Sequence, residues 1–157
     1  MPWARVVATT HREERLPELE EQLDADDIAA LDTGELTGKL DDYRVTKALE
    51  LVGPATLADT MRCLMPGGIC CSTGVLGGVN VLDGFDPITS IPNGTYLTGF
   101  YSNYPTQQAM HDIFAFIFER ELRPHVDARY GFAHLSEALA SQDRGGTRGK
   151  IVVTVDA

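Results

Sequence analysis

At 157 residues the chain is about one domain's worth of polypeptide, and its 43% hydrophobic and 23% charged residues are those of a globular protein with a real core. A formal net charge of −10 argues against a nucleic-acid backbone or an anionic membrane as partner. The three cysteines, two of them adjacent, do not form a secreted disulfide framework, and no apolar run or signal-peptide core follows Met1, so the expected location is the cytoplasm.

Arg5–Thr10 reads as a short buried strand. His11–Leu23 follows as a helix with Leu16, Leu19 and Leu23 on one face, which requires Pro17 to fall in its first turn. The acidic residues between Glu13 and Asp27 are expected on a solvated face. Asp27–Leu31 is a second strand, ended by Asp32-Thr33-Gly34, and residues 35–46 are weakly patterned, a broken helix. Lys47–Gly53 is a third strand stopped by Gly53-Pro54. Ala55–Leu64 is a helix with Leu57, Met61 and Leu64 in phase, closed by Pro66-Gly67-Gly68.

Ile69-Cys70-Cys71 has the grammar of a buried parallel strand whose carboxyl end opens through Ser72-Thr73-Gly74 into a glycine-rich loop. Adjacent strand residues point to opposite faces, so Cys70 and Cys71 read as small core side chains rather than a metal pair. A loop from Gly77 to Gly94, longer than a connector needs, leads to a strand at Tyr96–Tyr101. Thr106–Glu121 is the longest helix, and its stripe of Met110, Ile113, Phe114, Ile117 and Phe118 is expected in the core. Ser136–Gln142 is a short helix and Gly149–Val155 a β-branched last strand. This alternation of strands and helices predicts an α/β fold with a mostly parallel sheet.

Five segments in order carry a resemblance: VVATTHREER (6–15), LELVG (49–53), TLADTMRCLMPGGICCSTGVLGG (56–78), IPNGTYLT (91–98) and GKIVV (149–153). Together they resemble the nucleotide-binding half of the medium-chain dehydrogenase/reductases, closest to the quinone oxidoreductase and zinc-binding alcohol dehydrogenase branch. The resemblance implies a truncated Rossmann-like sheet. About residues 1–130 would form a partial NAD(P)-binding domain, and 131–157 a helix and strand that in the family return to a catalytic domain.

The resemblance also implies cofactor-binding positions. Thr9, Thr10, His11 and Arg12 would stand beside the adenosine ribose. Hydroxyls, an imidazole and a guanidinium there, in place of a carboxylate, favour NADPH. The alternative that Arg12 and Arg15 pair with glutamates along the helix stays open. Val52 and Gly53 would lie beneath the adenine side, and Thr73, Gly74, Val75 and Leu76 would line the nicotinamide crevice. Thr98 to Tyr101 would close it, and Arg148 with Lys150 would approach a cofactor phosphate or stand as solvated cations.

The sequence departs from the family in two ways. No Gly-x-Gly-x-x-Gly follows a strand, and in the family the first strand, glycine turn and first helix precede the segment matching Arg5. That strand belongs between Arg5–Thr10 and Lys47–Val52 in the order 3-2-1-4-5-6. The two strands must pair directly, take a strand from another chain, or leave the sheet split. The family's catalytic domain is also missing, so the last strand is expected to lack its natural neighbours, and catalytic residues cannot be assigned. His11, His111, His125 and His134 show no ligand spacing with the cysteines, and no zinc is expected. The expected function is NADPH-dependent reduction of a quinone or enone, by a truncated form with impaired or no independent activity. The alternative is a non-catalytic remnant acting as an oligomerising or partner-binding domain, a homo-oligomer or a second chain completing the sheet.

Overall fold

A computed structural model of the chain describes residues 4–101 and 103–155. They fall into two compact units, Met1–Ser102 and Asn103–Ala157.

In the first unit, β1 (Val7–Thr10) and β2 (Ile28–Leu31) pair in parallel, Val7 with Ile28 through Thr10 with Leu31. Between them run a 3-10 turn, Glu13–Arg15, and α1 (Leu16–Gln22). Pro17 stands in the first turn of α1, where its missing N–H leaves no helical bond unmade. Leu16, Leu19 and Leu23 are partly buried, while Glu20, Glu21 and Asp24 face solvent. Asp27 ties the start of β1 in place, its Oδ1 accepting the Val6 N–H at 2.7 Å.

A second parallel sheet has the order β3 (Val45–Glu50), β4 (Leu64–Ser72), β5 (Tyr96–Gly99). The connection from β3 to β4 is α2 (Pro54–Arg62), which Gly53-Pro54 starts as expected. Leu57 and Met61, one turn apart, meet Leu64 and Cys70, and Ala48 and Leu97 pack around them. Burying two such helix side chains stabilises the unit by roughly 1.5–3 kcal/mol each. Cys70 is fully buried on this face, whereas the next residue, Cys71, points away. The opposite face carries Leu49, Ile69 and Tyr96, at 66%, 42% and 62% exposure.

Several boundaries differ from expectation. The third strand starts two residues early, after Arg44 in the left-handed region (φ 50°), and ends at Glu50. The Pro-Gly-Gly segment does not lie outside β4. Val45 pairs with Leu64 and Lys47 with Ile69, so Met65–Gly68 bulge out within the strand. Gly67, at φ 87°, makes that bulge possible, and its N–H donates to the Gly94 carbonyl at 2.7 Å. The broken helix of 35–46 is a single 3-10 turn, Asp41–Tyr43. Inside the long loop lies α3 (Pro87–Ser90), capped by Asp86 accepting the Ile88 N–H at 2.9 Å.

Among the described residues the sheet stays split. β1 pairs only with β2, and β3 only with β4.

The second unit contains α4 (Gln107–Glu119), β6 (Val126–Gly131), α5 (Leu135–Asp143) and β7 (Lys150–Thr154). Thr106 caps α4, its Oγ1 accepting the Ala109 N–H at 3.1 Å. The stripe on α4 is not core: no residue of the helix is buried, and Phe114 and Phe118 are 63% and 85% exposed. The last strand is not an orphan either. β7 pairs in parallel with β6, a strand absent from the sequence-based expectation, and α5 joins the two. No helix among the described residues is long and apolar enough to cross a membrane.

Candidate functional site

Because β3, β4 and β5 run parallel, their carboxyl ends share one edge of the sheet. Three exits meet there: Leu51-Val52-Gly53 from β3, Thr73–Gly78 from β4, and Phe100-Tyr101 from β5. The first two are locked together by backbone bonds. Thr73 N–H donates to the Glu50 carbonyl (3.0 Å), Leu76 N–H to that of Leu51 (3.1 Å) and Gly77 N–H to that of Val52 (2.9 Å). The glycines follow from this closeness. A Cβ on Gly74 would stand 2.0 Å from the Leu51 oxygen, and one on Gly53 would stand 2.7 Å from the Gly74 oxygen. Gly53 is also at φ 97°, a conformation that side chains disfavour. The N–H groups of Gly74 and Val75 have no partner among the described residues, so they are donors not yet used at the end of β4.

Beneath this edge lies Glu50, a residue that the sequence alone does not single out. Its side chain is 4% exposed, and its carboxylate accepts from four donors. Oε1 takes Val52 N–H (2.8 Å), Gly53 N–H (3.1 Å) and the Thr56 hydroxyl (3.0 Å), while Oε2 takes the Thr60 hydroxyl (2.5 Å). Burial, then the charge of Glu50 and the neighbouring Cys71, pushes the Cys70 thiol up to about 11, so it is no nucleophile at neutral pH. A second carboxylate, Asp59 on α2, holds the 36–37 turn: it accepts Leu36 N–H at 2.6 Å and the Thr37 hydroxyl at 2.5 Å. Burial works against its ionisation, but those hydrogen bonds and nearby Arg62 outweigh it and hold its carboxyl below the usual aspartate range.

The positions expected at the site fall into groups. Val52, Gly53, Thr73, Gly74, Val75 and Leu76 converge at the β3–β4 ends, and Thr98 pairs beside Cys71 on β5. Tyr101, two residues past β5, is 84% exposed. Thr9, Thr10, His11 and Arg12 form another group at the carboxyl end of β1. There the Thr10 hydroxyl accepts the Arg12 N–H (3.2 Å), and Arg12 Nε lies 3.4 Å from His11 Nε2. Arg148 belongs to the second unit, just before β7. A guanidinium, an imidazole and the Thr10 hydroxyl at a strand end have the donor chemistry for a phosphate monoester, while Thr9, the preceding strand residue, falls on the opposite face. No strand–Gly-x-Gly-x-x-Gly–helix turn to cradle a pyrophosphate occurs among the described residues. Nor do they contain a group of three or more histidine, cysteine, aspartate or glutamate side chains arranged to hold a metal.

A family model described as zinc-binding dehydrogenase matches residues 23–153. Among solved structures, that of AibC superposes with a TM-score of 0.80 at 22% identity, over 98% of this chain and 42% of that one. A putative alcohol dehydrogenase from Sinorhizobium meliloti 1021 gives a TM-score of 0.72 at 26% identity, over 95% of this chain and 43% of the other. The Bacillus subtilis protein yhfP, solved with NAD bound, gives 0.64 at 22% identity, over 96% and 46%. The chain thus spans less than half the length of each of these relatives. No curated protein sequence matches it. The fold, the order of its parallel strands and the match over residues 23–153 agree, and the chain belongs to the zinc-binding dehydrogenase family of oxidoreductases.

Proposed function

We propose that the chain is the dinucleotide-binding part of a quinone or enone reductase, and that its cofactor is NADPH. The observation that carries this reading is the shared edge where β3, β4 and β5 end, with the unused N–H groups of Gly74 and Val75 at its centre. In open α/β sheets that edge is where ligands bind. Thr9, Thr10, His11 and Arg12 hold the ribose 2′-phosphate. Val52 and Gly53 lie under the adenine side, Thr73–Leu76 orient the nicotinamide, and Thr98 and Tyr101 close the crevice. Residues 1–130 do the binding, and 131–157 return towards a catalytic domain. When bound, the nicotinamide supplies hydride transfer, and the residues of this chain only bind and orient it, without zinc.

Calorimetric titration of the purified chain with NADPH and NADH tests the reading. NADPH is expected to bind tighter than NADH. Arg12→Ala is expected to weaken NADPH by roughly 10- to 100-fold, the loss of one charged hydrogen-bond pair, and to leave NADH unchanged. Equal affinities, or no binding at millimolar cofactor, overturn it.

The bare edges of β1 and β3 favour a second reading: a strand from another copy or another chain completes the sheet, and the chain acts as a partner-binding domain. Light scattering during size-exclusion tests the form in which another copy supplies the strand, since that form requires a dimer or larger and a strictly monomeric chain rejects it.

A further inference from the structure

We infer that Glu50 is a positioning residue for the crevice, setting the shape of the 73–77 loop from beneath the sheet edge. Its consequence for cofactor affinity rests on the reading proposed above, but its effect on the loop does not. The carboxylate turns the chain just past β3. By accepting the N–H groups of both Val52 and Gly53 with one oxygen, it curls Leu51-Val52-Gly53 back over its own side chain. The hydroxyls of Thr56 and Thr60 anchor the same carboxylate to α2, one turn and two turns along. The curl presents the carbonyls of Leu51 and Val52 outward, and those carbonyls hold Leu76 and Gly77. It also sets Gly53 against the Gly74 carbonyl, at a spacing that no side chain tolerates. The path from Glu50 to the unused donors of Gly74 and Val75 therefore runs through short backbone contacts that leave no slack.

Two substitutions separate this role from simple support of the fold. Glu50→Gln keeps an oxygen at Oε1 for its three donors. It places an amide at Oε2, where the Thr60 hydroxyl turns to accept. Glu50→Ala leaves the N–H groups of Val52 and Gly53 and the Thr60 hydroxyl without this acceptor, while the Thr56 hydroxyl keeps only its long contact to the Gly53 carbonyl, 3.4 Å. Amide hydrogen exchange on the chain alone reads the result. Leu76 and Gly77 are expected to exchange about 10-fold faster or more in Glu50→Ala, and within about 2-fold of wild type in Glu50→Gln, with Met61 and Cys70 unchanged in both. Thr60→Val removes only the Oε2 bond. It gives a smaller acceleration at the same two amides and serves as the test if Glu50→Ala fails to fold. NADPH titration of the same variants is expected to follow the exchange, lost with Ala and kept with Gln. A wild type that binds no NADPH removes the cofactor reading and leaves the exchange result to decide the role of Glu50. Unchanged exchange at Leu76 and Gly77, acceleration spread over the whole first unit, or a glutamine variant as damaged as the alanine variant overturns the inference.

Discussion

Replacing Gly74 with alanine strikes the point where the ends of β3 and β4 touch. The added Cβ would stand 2.0 Å from the Leu51 carbonyl oxygen and 2.5 Å from its Cα and carbonyl carbon. Both sides of that contact are backbone, so no rotamer relieves it, and the two exits must part by about 1 Å or more. The hydrogen bonds that hold them, Leu76 N–H to Leu51 at 3.1 Å and Gly77 N–H to Val52 at 2.9 Å, do not survive such a shift. At about 1 kcal/mol for each bond, added to the usual 1–3 kcal/mol of overpacking, the cost is roughly 3–5 kcal/mol. Set against the roughly 5–15 kcal/mol that stabilises an ordinary domain, that is a fifth or more. Urea unfolding of wild type and variant at constant m measures it. Two glycines calibrate the result. Gly99 has its nearest neighbour at 3.9 Å, so Gly99→Ala should cost less than about 0.5 kcal/mol. Gly78 has open space but φ 74°, so Gly78→Ala should cost about 1–2 kcal/mol from backbone conformation alone. If Gly74→Ala proves no worse than Gly78→Ala, the interlock is not the reason for the glycine.

Two further outcomes follow from the titratable groups. The Asp59 carboxyl is held below its usual range in the fold, so its stabilisation is present above the ordinary aspartate range and is lost as pH falls through the depressed folded value. Asp59→Asn, which keeps an oxygen for the Leu36 N–H but gives up the charge that strengthens the bonds to Leu36 and Thr37, should therefore lower stability by about 1 kcal/mol at pH 7, and the gap to wild type should close in acid; a gap that widens there refutes the assignment. The Cys70 thiol, fully buried and pushed up to about 11, should resist iodoacetamide at pH 8 until the chain is unfolded, and mass spectrometry of labelled peptides checks it.

The elements legible in the sequence are those whose own residues determine them. Gly53-Pro54 starts α2 whatever surrounds it, and the spacing of Leu57 and Met61 needs only one covering sheet to become core. Legibility fails where the answer depends on a partner. On α4 the helical period correctly marks an apolar face, but periodicity says nothing about what covers it, and Phe114 and Phe118 stand exposed. The unexpected β6 carries the strand signal in plain form: Val126, Ala128 and Tyr130 are partly buried and alternate with exposed Asp127 and Arg129. One charged residue in two breaks any continuous apolar run, which hides the strand, and with β6 hidden the last strand has no visible neighbour.

The edge of the site shows the same division more sharply. Glycine clusters after a strand point to a loop at the carboxyl edge, and Thr73–Gly78 is that loop. Why it needs glycine at position 74 cannot be read locally, because the atoms it meets belong to Leu51, at the end of another strand. Glu50 is harder still. Within LELVG a carboxylate in an apolar strand is anomalous, yet its four donors lie two, three, six and ten residues further on, and only the turn at Gly53 brings them to it. An acidic residue at a strand's last position, followed by Gly-Pro and then by threonines at helical spacing, is the signal that could have found it. Each part is commonplace alone. Their conjunction is what satisfies a buried carboxylate, since two backbone donors and two hydroxyls offset most of its lost hydration. A carboxylate so placed is held to one geometry, and the chain that feeds the crevice is held with it.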